Sequence, residues 1–367
     1  MTGHPAGGTA YLDYAGIGIV REPARAAMRA AIDGVLAHGS AEYGQFFTAR
    51  GAARKAAAAL LQCEEDEVAL TANTSAGLQL VADGLDWRPG DEIVVFERDF
   101  PANVQPWRAL ERQGAVLRWV PMREGRYELA DIAAAISAAT RLIAVSHVHF
   151  VTGAAVDLAA IVQLAHPAGA LVCVDAIQSL GAMPIRPALS GVDFLAAGGH
   201  KWLGGPPGTG LLYCRRDRLD RLAGAPLGWF GYDGSDQIFG REAGHLRYAL
   251  PPRPAARRFE GAMLNFVGIA GLAAAIDELL AVGPDAVWAR VRTRAEGLRA
   301  TLVERGFAVT PGDSGIVSVT ADDGAAISAA LEEGGVHCSY VDGHIRISPH
   351  YWTVDEEITQ LLKLLSH

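Results

Sequence analysis

Lys201 is the residue best equipped for covalent chemistry. The chain's 32 basic residues are nearly all arginine, and its only lysines are Lys55, Lys201 and Lys363. Arginine supplies charge, but a lysine amine can lose its proton and attack a carbonyl. Lys201 stands in Gly198-Gly199-His200-Lys201-Trp202, just ahead of the glycine- and proline-rich run 204–210. Upstream, the apolar run 171–174 ends on Asp175, and Gln178 follows one turn later. Earlier still, Asn73-Thr74-Ser75-Ala76-Gly77 leads into a helical pattern. Ser75 and the free amides of that first turn, Ala76 among them, favour an anion such as phosphate. A phosphate cradle, an acidic strand end and a lone nucleophilic lysine together fit pyridoxal 5'-phosphate (PLP). PLP chemistry needs a lysine Schiff base and a carboxylate on the pyridine nitrogen. Asp175 supplies that carboxylate, which keeps the ring able to delocalise a carbanion at Cα.

These groups need a scaffold that brings them to one crevice. Strand patterns fall at 67–71, 92–97, 116–121, 141–149, 170–175, 194–197 and 209–214, most of them separated by helical patterns such as 78–84, 102–113, 129–138 and 157–168. Two alanine-rich helices, one begun by Pro23 and one over 48–62, precede them. Such alternation indicates βαβ units and a mainly parallel, seven-stranded sheet between helices. Ligands of open parallel sheets bind outside the carboxyl ends of the strands. Residues 73–75, Phe100, His147, His149, Asp175 and 198–201 all follow strands, so all are expected at one edge. Gly198 and Gly199 are expected to let the backbone approach a ligand closely. The stretch 222–254 has no periodicity. Beyond it come helices at 261–281, 284–305, 324–333 and 354–365, with strands at 315–319, 336–340 and 344–348. The predicted organisation is α/β, with a large domain over 15–250 and a smaller α/β domain from 1–14 and 251–367.

Composition narrows the class. A chain of 367 residues, half of them hydrophobic, can bury a sizeable core. A net charge of −9 with scattered arginines argues against nucleic acid. No run approaches the roughly 20 apolar residues that span a bilayer, and the first residues lack a signal pattern; the expectation is a soluble, cytoplasmic protein. Four separated cysteines, with no C-x-x-C pair, read as free thiols in a reducing compartment. Cys173 and Cys214 lie in apolar strand patterns and read as core. His147 and His149 are expected on one strand face. No third ligand accompanies them, so no metal is expected, and His147 is assigned to packing or substrate contact. Neither a G-x-x-x-x-G-K-[ST] loop nor a G-x-G-x-x-G after the first strands is present.

Val174-Asp175-Ala-Ile-Gln178, followed by Asp193-Phe-Leu-Ala-Ala-Gly-Gly-His200-Lys201-Trp202, resembles the class V aminotransferase superfamily, which includes cysteine desulfurases, kynureninases and isopenicillin-N-epimerase-like enzymes. The resemblance runs from Tyr11-Leu-Asp-Tyr-Ala15 to Ile345-Arg346-Ile-Ser-Pro-His350. It implies the fold-type-I PLP transferase fold and a homodimer whose active site lies at the interface, with 229–247 and residues near Met263 reaching the partner. By position, Lys201 resembles the Schiff-base lysine and His200 a phosphate-contacting neighbour. Asp175 resembles the ring-nitrogen partner, and Gln178 a ligand of the cofactor's phenolic oxygen. Thr74 and Ser75 resemble the phosphate-binding turn, Phe100 the aromatic that stacks on the ring, and Arg346 the clamp on the substrate carboxylate, a bidentate task.

The departures from that pattern are as specific. Many desulfurases carry histidine where Phe100 stands, and Phe150 occupies a place often held by asparagine. Gly198 replaces a common phosphate-binding serine, and Met263 a threonine that reaches the partner's phosphate. Cys338 precedes Arg346 by only eight positions, leaving little length for the mobile loop on which a desulfurase carries sulfur. It is expected to be a strand cysteine. The resemblance thus implies an enzyme acting on an L-amino acid or related amine through an external aldimine and a Cα carbanion. Aminotransferase or amino-acid lyase is the favoured activity. Desulfurase or selenocysteine-lyase-like sulfur transfer, epimerisation, and a non-catalytic binding protein of the same fold are the alternatives.

Overall fold

Short unbroken apolar runs become the strands of one large sheet. A computed structural model describes residues 9–239, 244 and 246–365. The first eight residues, read above for a signal pattern, lie outside the described residues, as do 240–243 and 245 of the stretch expected to reach a partner. The chain opens with β1 (Ala10–Tyr11), α1 (Glu22–His38) and α2 (Tyr43–Leu61). The large sheet then collects β2 (Val68–Thr71), β3 (Glu92–Phe96), β4 (Val116–Val120) and β5 (Thr140–Ser146). It is completed by β6 (Leu171–Asp175), β7 (Phe194–Gly198) and β8 (Gly210–Cys214). Their order is β2-β8-β7-β6-β5-β3-β4, and only β8 runs against its neighbours. Between them lie α3 (Thr74–Gly84), α4 (Gln105–Ala109), α5 (Leu129–Ala135), α6 (Leu158–Ala165) and α7 (Pro187–Ser190).

Both faces of this sheet are covered, which is why its strands read as unbroken apolar runs. Alternate side chains enter separate cores. Ile93, Val95, Leu142, Ala144, Cys173 and Phe194 pack on one face; Val94, Phe96, Ile143, Val145, Val174 and Leu195 pack on the other. The buried Asp193 accepts hydrogen bonds from the Val172 amide at 2.8 Å and Arg218 Nε at 2.8 Å. It therefore fastens the start of β7 to β6, at the opposite end of the strand from the lysine-bearing loop.

After the stretch of short turns that ends near residue 260 come α8 (Phe266–Val282) and α9 (Pro284–Glu304). A second sheet is built from β9 (Ala308–Thr310), β10 (Val317–Thr320), β12 (Ser339–Val341) and β13 (His344–Ile347), in the order β12-β13-β10-β9 and antiparallel throughout. Strand β11 (Val336–His337) pairs instead with β1, in parallel. Helices α10 (Gly324–Glu333) and α11 (Asp355–Leu364) complete it. Ala10 and Leu12 thus share a core with Val336, Ile345 and Leu361. Among the described residues no single helix is long and apolar enough to cross a membrane.

Four details differ from the sequence expectation. Helix α3 begins at Thr74 rather than near 78, because Asn73 caps it: its Oδ1 accepts from the Ala76 amide at 2.8 Å. Strand β5 stops at Ser146, not 149, because the chain folds back there and Val148 bridges Ala155. The run 336–340 divides at Cys338, one half serving β1 and the other β13. Strand β9 is three residues long, too short for a period to show.

Candidate active site

Strand ends deliver the chemistry. Asp175 closes β6, flanked in register by Ser146 of β5 and Ala196 of β7. Its side chain is 3% exposed, and its one described hydrogen bond comes from the Ile177 amide at 2.9 Å. No arginine or lysine pairs with it among the described residues. Burial, then the nearby Asp99, pushes its carboxyl up to about 7, while the Ile177 amide and Lys201 act the other way.

Lys201 follows β7 on a loop pressed against the N-terminal segment. Gly18 donates its amide to His200 O at 2.7 Å, and a Cβ on Gly18 would sit 2.1 Å from Lys201 O, so only glycine permits this approach. Burial, then the Arg346 guanidinium, lowers the Lys201 amine to about 8; Asp175 and Asp13 pull it back up. Its Nζ lies 5.7 Å from the centre of the Phe100 ring, which meets Phe150 edge-on at 5.2 Å. Behind the lysine, the buried Trp202 donates Nε1 to Gln178 Oε1 at 3.0 Å, and Gln178 Nε2 donates to Ala15 O at 3.1 Å. One amide hydrogen of Gln178 remains free for another acceptor.

The start of α3 meets the end of β7: Thr74 Oγ1 accepts from the Gly198 amide at 2.9 Å. Thr74 is buried, Ser75 is exposed at the helix mouth, and the Ala76 amide is taken by Asn73. Partly buried His200 has its ring lowered from the usual histidine range by burial and by Lys201. His147 is buried with Nδ1 unpartnered, and burial lowers it to about 4. It stands past the end of β5, not on a strand face with His149, whose ring nitrogens are held by Arg98 O and Thr152. The expected role of Gly199 also changes. A Cβ there would meet Thr209 Oγ1 at 2.5 Å and Leu272 Cδ1 at 2.8 Å, so protein rather than ligand fills that space.

Arg346 of β13 comes to the same place from the second sheet and is 5% exposed. Its Nη1 donates to Phe150 O at 2.9 Å, and its Nη2 to Ser339 Oγ at 2.9 Å and Asp13 Oδ1 at 3.2 Å. Nε is buried without a partner. Ser339 Oγ in turn donates to Asp13 Oδ1 at 2.7 Å. Lys201, Asp175, Phe100 and Arg346 are therefore one neighbourhood, linked by the ring contact and by mutual electrostatics.

Sequence reasoning missed Asp13 and Ser339, and also the group behind Phe100. There, buried Asp99 accepts from Ser146 Oγ at 2.7 Å, Asn103 Nδ2 at 3.0 Å and the Phe100 amide at 2.7 Å. The signal for this group was local, since Asp99 directly precedes Phe100. Asp13 and Arg346 are 333 positions apart, and no spacing rule links them.

Cys338 is within electrostatic reach of Asp13 and Arg346 but has its packing contacts elsewhere. Ser339 points at Asp13 and Arg346, and the adjacent Cys338 packs on the core of the second sheet. Burial, then Asp13, pushes its thiol up to about 12, so it stays protonated. Cys173 and Cys214 are buried in the large sheet.

PLP suits this donor set. A buried carboxylate without a cation partner matches a protonated ring nitrogen, a desolvated amine stands within its field, and an exposed serine marks an open helix N-terminus.

Comparison with known proteins gives the family. The family model described as aminotransferase class-V matches residues 11–361. A probable cysteine desulfurase of Methanothermobacter thermautotrophicus is 34% identical over 334 residues, covering 84% of this chain and 81% of that protein. The uncharacterized aminotransferase YcbU of Bacillus subtilis is 30% identical over 311 residues, covering 83% and 80%. Among solved structures, the cystine C–S lyase C-DES in complex with its reaction product cysteine persulfide superposes with a TM-score of 0.88, at 26% identity, over 97% of each chain. With a family match over nearly its whole length and relatives aligned across most of theirs, the chain belongs to the class V aminotransferase family of PLP-dependent enzymes.

Proposed function

We propose that this protein is a PLP-dependent lyase that breaks the Cβ–S bond of a cysteine-type substrate, and that it does so without carrying sulfur on a cysteine of its own. The relatives named cysteine desulfurases and the C–S lyase neighbour support carbon–sulfur cleavage over transamination. The observation that carries the second half is the orientation of Cys338 into the core of the second sheet.

PLP, when bound, supplies the electron sink that makes a Cα proton removable. The chain's own residues do the rest. Asp175 holds the ring nitrogen protonated. Thr74, Ser75 and His200 would hold the phosphate, Phe100 would lie against the ring, and Gln178 would offer its free amide hydrogen to the phenolic oxygen. Arg346 takes the α-carboxylate, and His147 lines the substrate side. With PLP bound, the Lys201 amine would serve as the general base that takes the Cα proton. The Cβ–S bond then breaks with its electron pair going to sulfur. The sulfur leaves as sulfide from cysteine, or as cysteine persulfide from cystine. The three-carbon remainder hydrolyses to pyruvate and ammonia.

Purified enzyme given cysteine or cystine should release pyruvate with sulfide or persulfide, and Cys338→Ala should do so at an unchanged rate. Alanine as the product, together with loss of activity in Cys338→Ala, would instead make Cys338 a sulfur carrier. Amino-group transfer to a keto acid with no sulfur released would replace the proposal with the aminotransferase reading.

A second copy of the chain completes the proposal. Trp229, Ile238, Leu246 and Tyr248 surround a cavity of about 260 Å³, and Tyr248 is 91% exposed. An apolar surface of this kind marks an interface. Light scattering should give the mass of a dimer.

A further inference from the structure

We propose that Asp13 is a positioning residue for Arg346: it aims the guanidinium in the ligand-free site and competes with the incoming substrate carboxylate for it. This rests on the reading of Arg346 as the carboxylate clamp. A guanidinium has five N–H donors. Three of them are spent on Phe150 O, Ser339 Oγ and Asp13 Oδ1. The two that remain, on Nε and Nη1, do not form the paired Nη edge that a bidentate carboxylate uses. The substrate must therefore share or displace what Asp13 holds.

The geometry of the clasp separates aiming from competition. Ser339 and Arg346 are register partners on β12 and β13, so the hydroxyl and the guanidinium are fixed side by side. Asp13 arrives from the N-terminal segment, whose backbone bridges Ser348, two residues beyond Arg346. One oxygen, Oδ1, receives both the Ser339 hydroxyl and Arg346 Nη2. An amide oxygen at that point would still receive both and would carry no charge. The aim would survive and the competition would not.

Carboxylate recognition is isolated by comparing L-alanine with ethylamine, its counterpart lacking the carboxylate, on the full-length PLP-loaded protein by calorimetric titration. The ratio of the two affinities is the measure. Asp13→Asn should raise that ratio by about tenfold, since a competing charge within a few ångströms of the guanidinium is removed. Asp13→Ala should lower it by a similar factor, because both Ser339 Oγ and Arg346 Nη2 then lose the acceptor they share and the guanidinium loses part of its aim. Ser339→Ala should lower it while leaving the charge in place, and it serves where Asp13→Ala fails to fold. If Asp13→Asn leaves the ratio unchanged, or lowers it as Asp13→Ala does, Asp13 is no competitor and the inference falls. Arg346→Gln tests the reading beneath it: the ratio should collapse to that of the bare amine. If instead Arg346→Gln keeps the wild-type ratio, the clamp itself is misassigned and both ideas fall together.

Discussion

The amine of Lys201 should be reactive near neutral pH before any cofactor arrives, and its titration should respond in opposite directions to its two charged neighbours. Burial and Arg346 bring it from the ordinary 10.5 down to about 8. At pH 7 roughly a tenth of such amines are neutral, against about 0.03% of ordinary lysines, a gain of roughly 300-fold in nucleophile. Arg346→Gln removes the second cause of the lowering and should move the midpoint up. Asp175→Asn removes a carboxylate that stabilises the ammonium and should move it down. The assay is stopped-flow absorbance of imine formation when cofactor-free protein meets a fixed excess of PLP, from pH 6 to 10. In the wild type the rate should rise through pH 8 and then level off. A midpoint near 10.5 would refute the burial argument. Shifts of the same sign in both variants would refute the assignment of the neighbours.

Other consequences are directly measurable. Burial lowers His147 from 6.5 to about 4 and His350 to about 3, so the unfolded chain takes up those protons first. Their contribution is complete above about pH 6.5 and is lost as pH falls through about 4 for His147 and about 3 for His350; for His147 alone it amounts to about 3 kcal/mol, visible as a falling urea midpoint. Glu260 is 2% exposed and receives Arg50, Arg54 and the Leu70 amide. Glu260→Ala strands two guanidinium groups and should cost about 3–5 kcal/mol by the same urea assay. Gly199→Ala drives a Cβ into Thr209 and Leu272 and should cost about 1–3 kcal/mol, with a lower Tm and less PLP retained after dialysis.

The large sheet was legible because both of its faces are buried. Each strand therefore showed as an apolar run, and the residues after the runs had to meet at one edge. Lys201, Asp175 and the Thr74 turn needed nothing more than that rule. The carboxylate clasp was not legible. Arg346, Ser339 and Asp13 come from two hairpin strands and the far N-terminus, and their meeting depends on β1 adding to β11 and on the register of β12 with β13. Two-residue strands carry no period. The end of β5 was misjudged for a related reason: 147–149 continue the alternation of the strand, yet their backbone is held by Asp175 O and by the fold-back to Ala154. Alternation reports on burial, and in this stretch burial comes from a turn.

The same burial acts on both groups proposed for the chemistry, and it moves them toward neutrality from opposite sides: Asp175 up to about 7 and Lys201 down to about 8. Each is held in a less charged state than water would impose. The parallel sheet contributes to this, since Asp175 ends a central strand and is 3% exposed. A ring that presents a cation to Asp175 and an aldehyde to Lys201 relieves both constraints at once. Asp175 regains a partner for its charge, and Lys201 gives up an ammonium that burial had disfavoured. Asp13 and Arg346, paired at 3.2 Å, act on Lys201 as well, the carboxylate favouring its ammonium and the guanidinium opposing it.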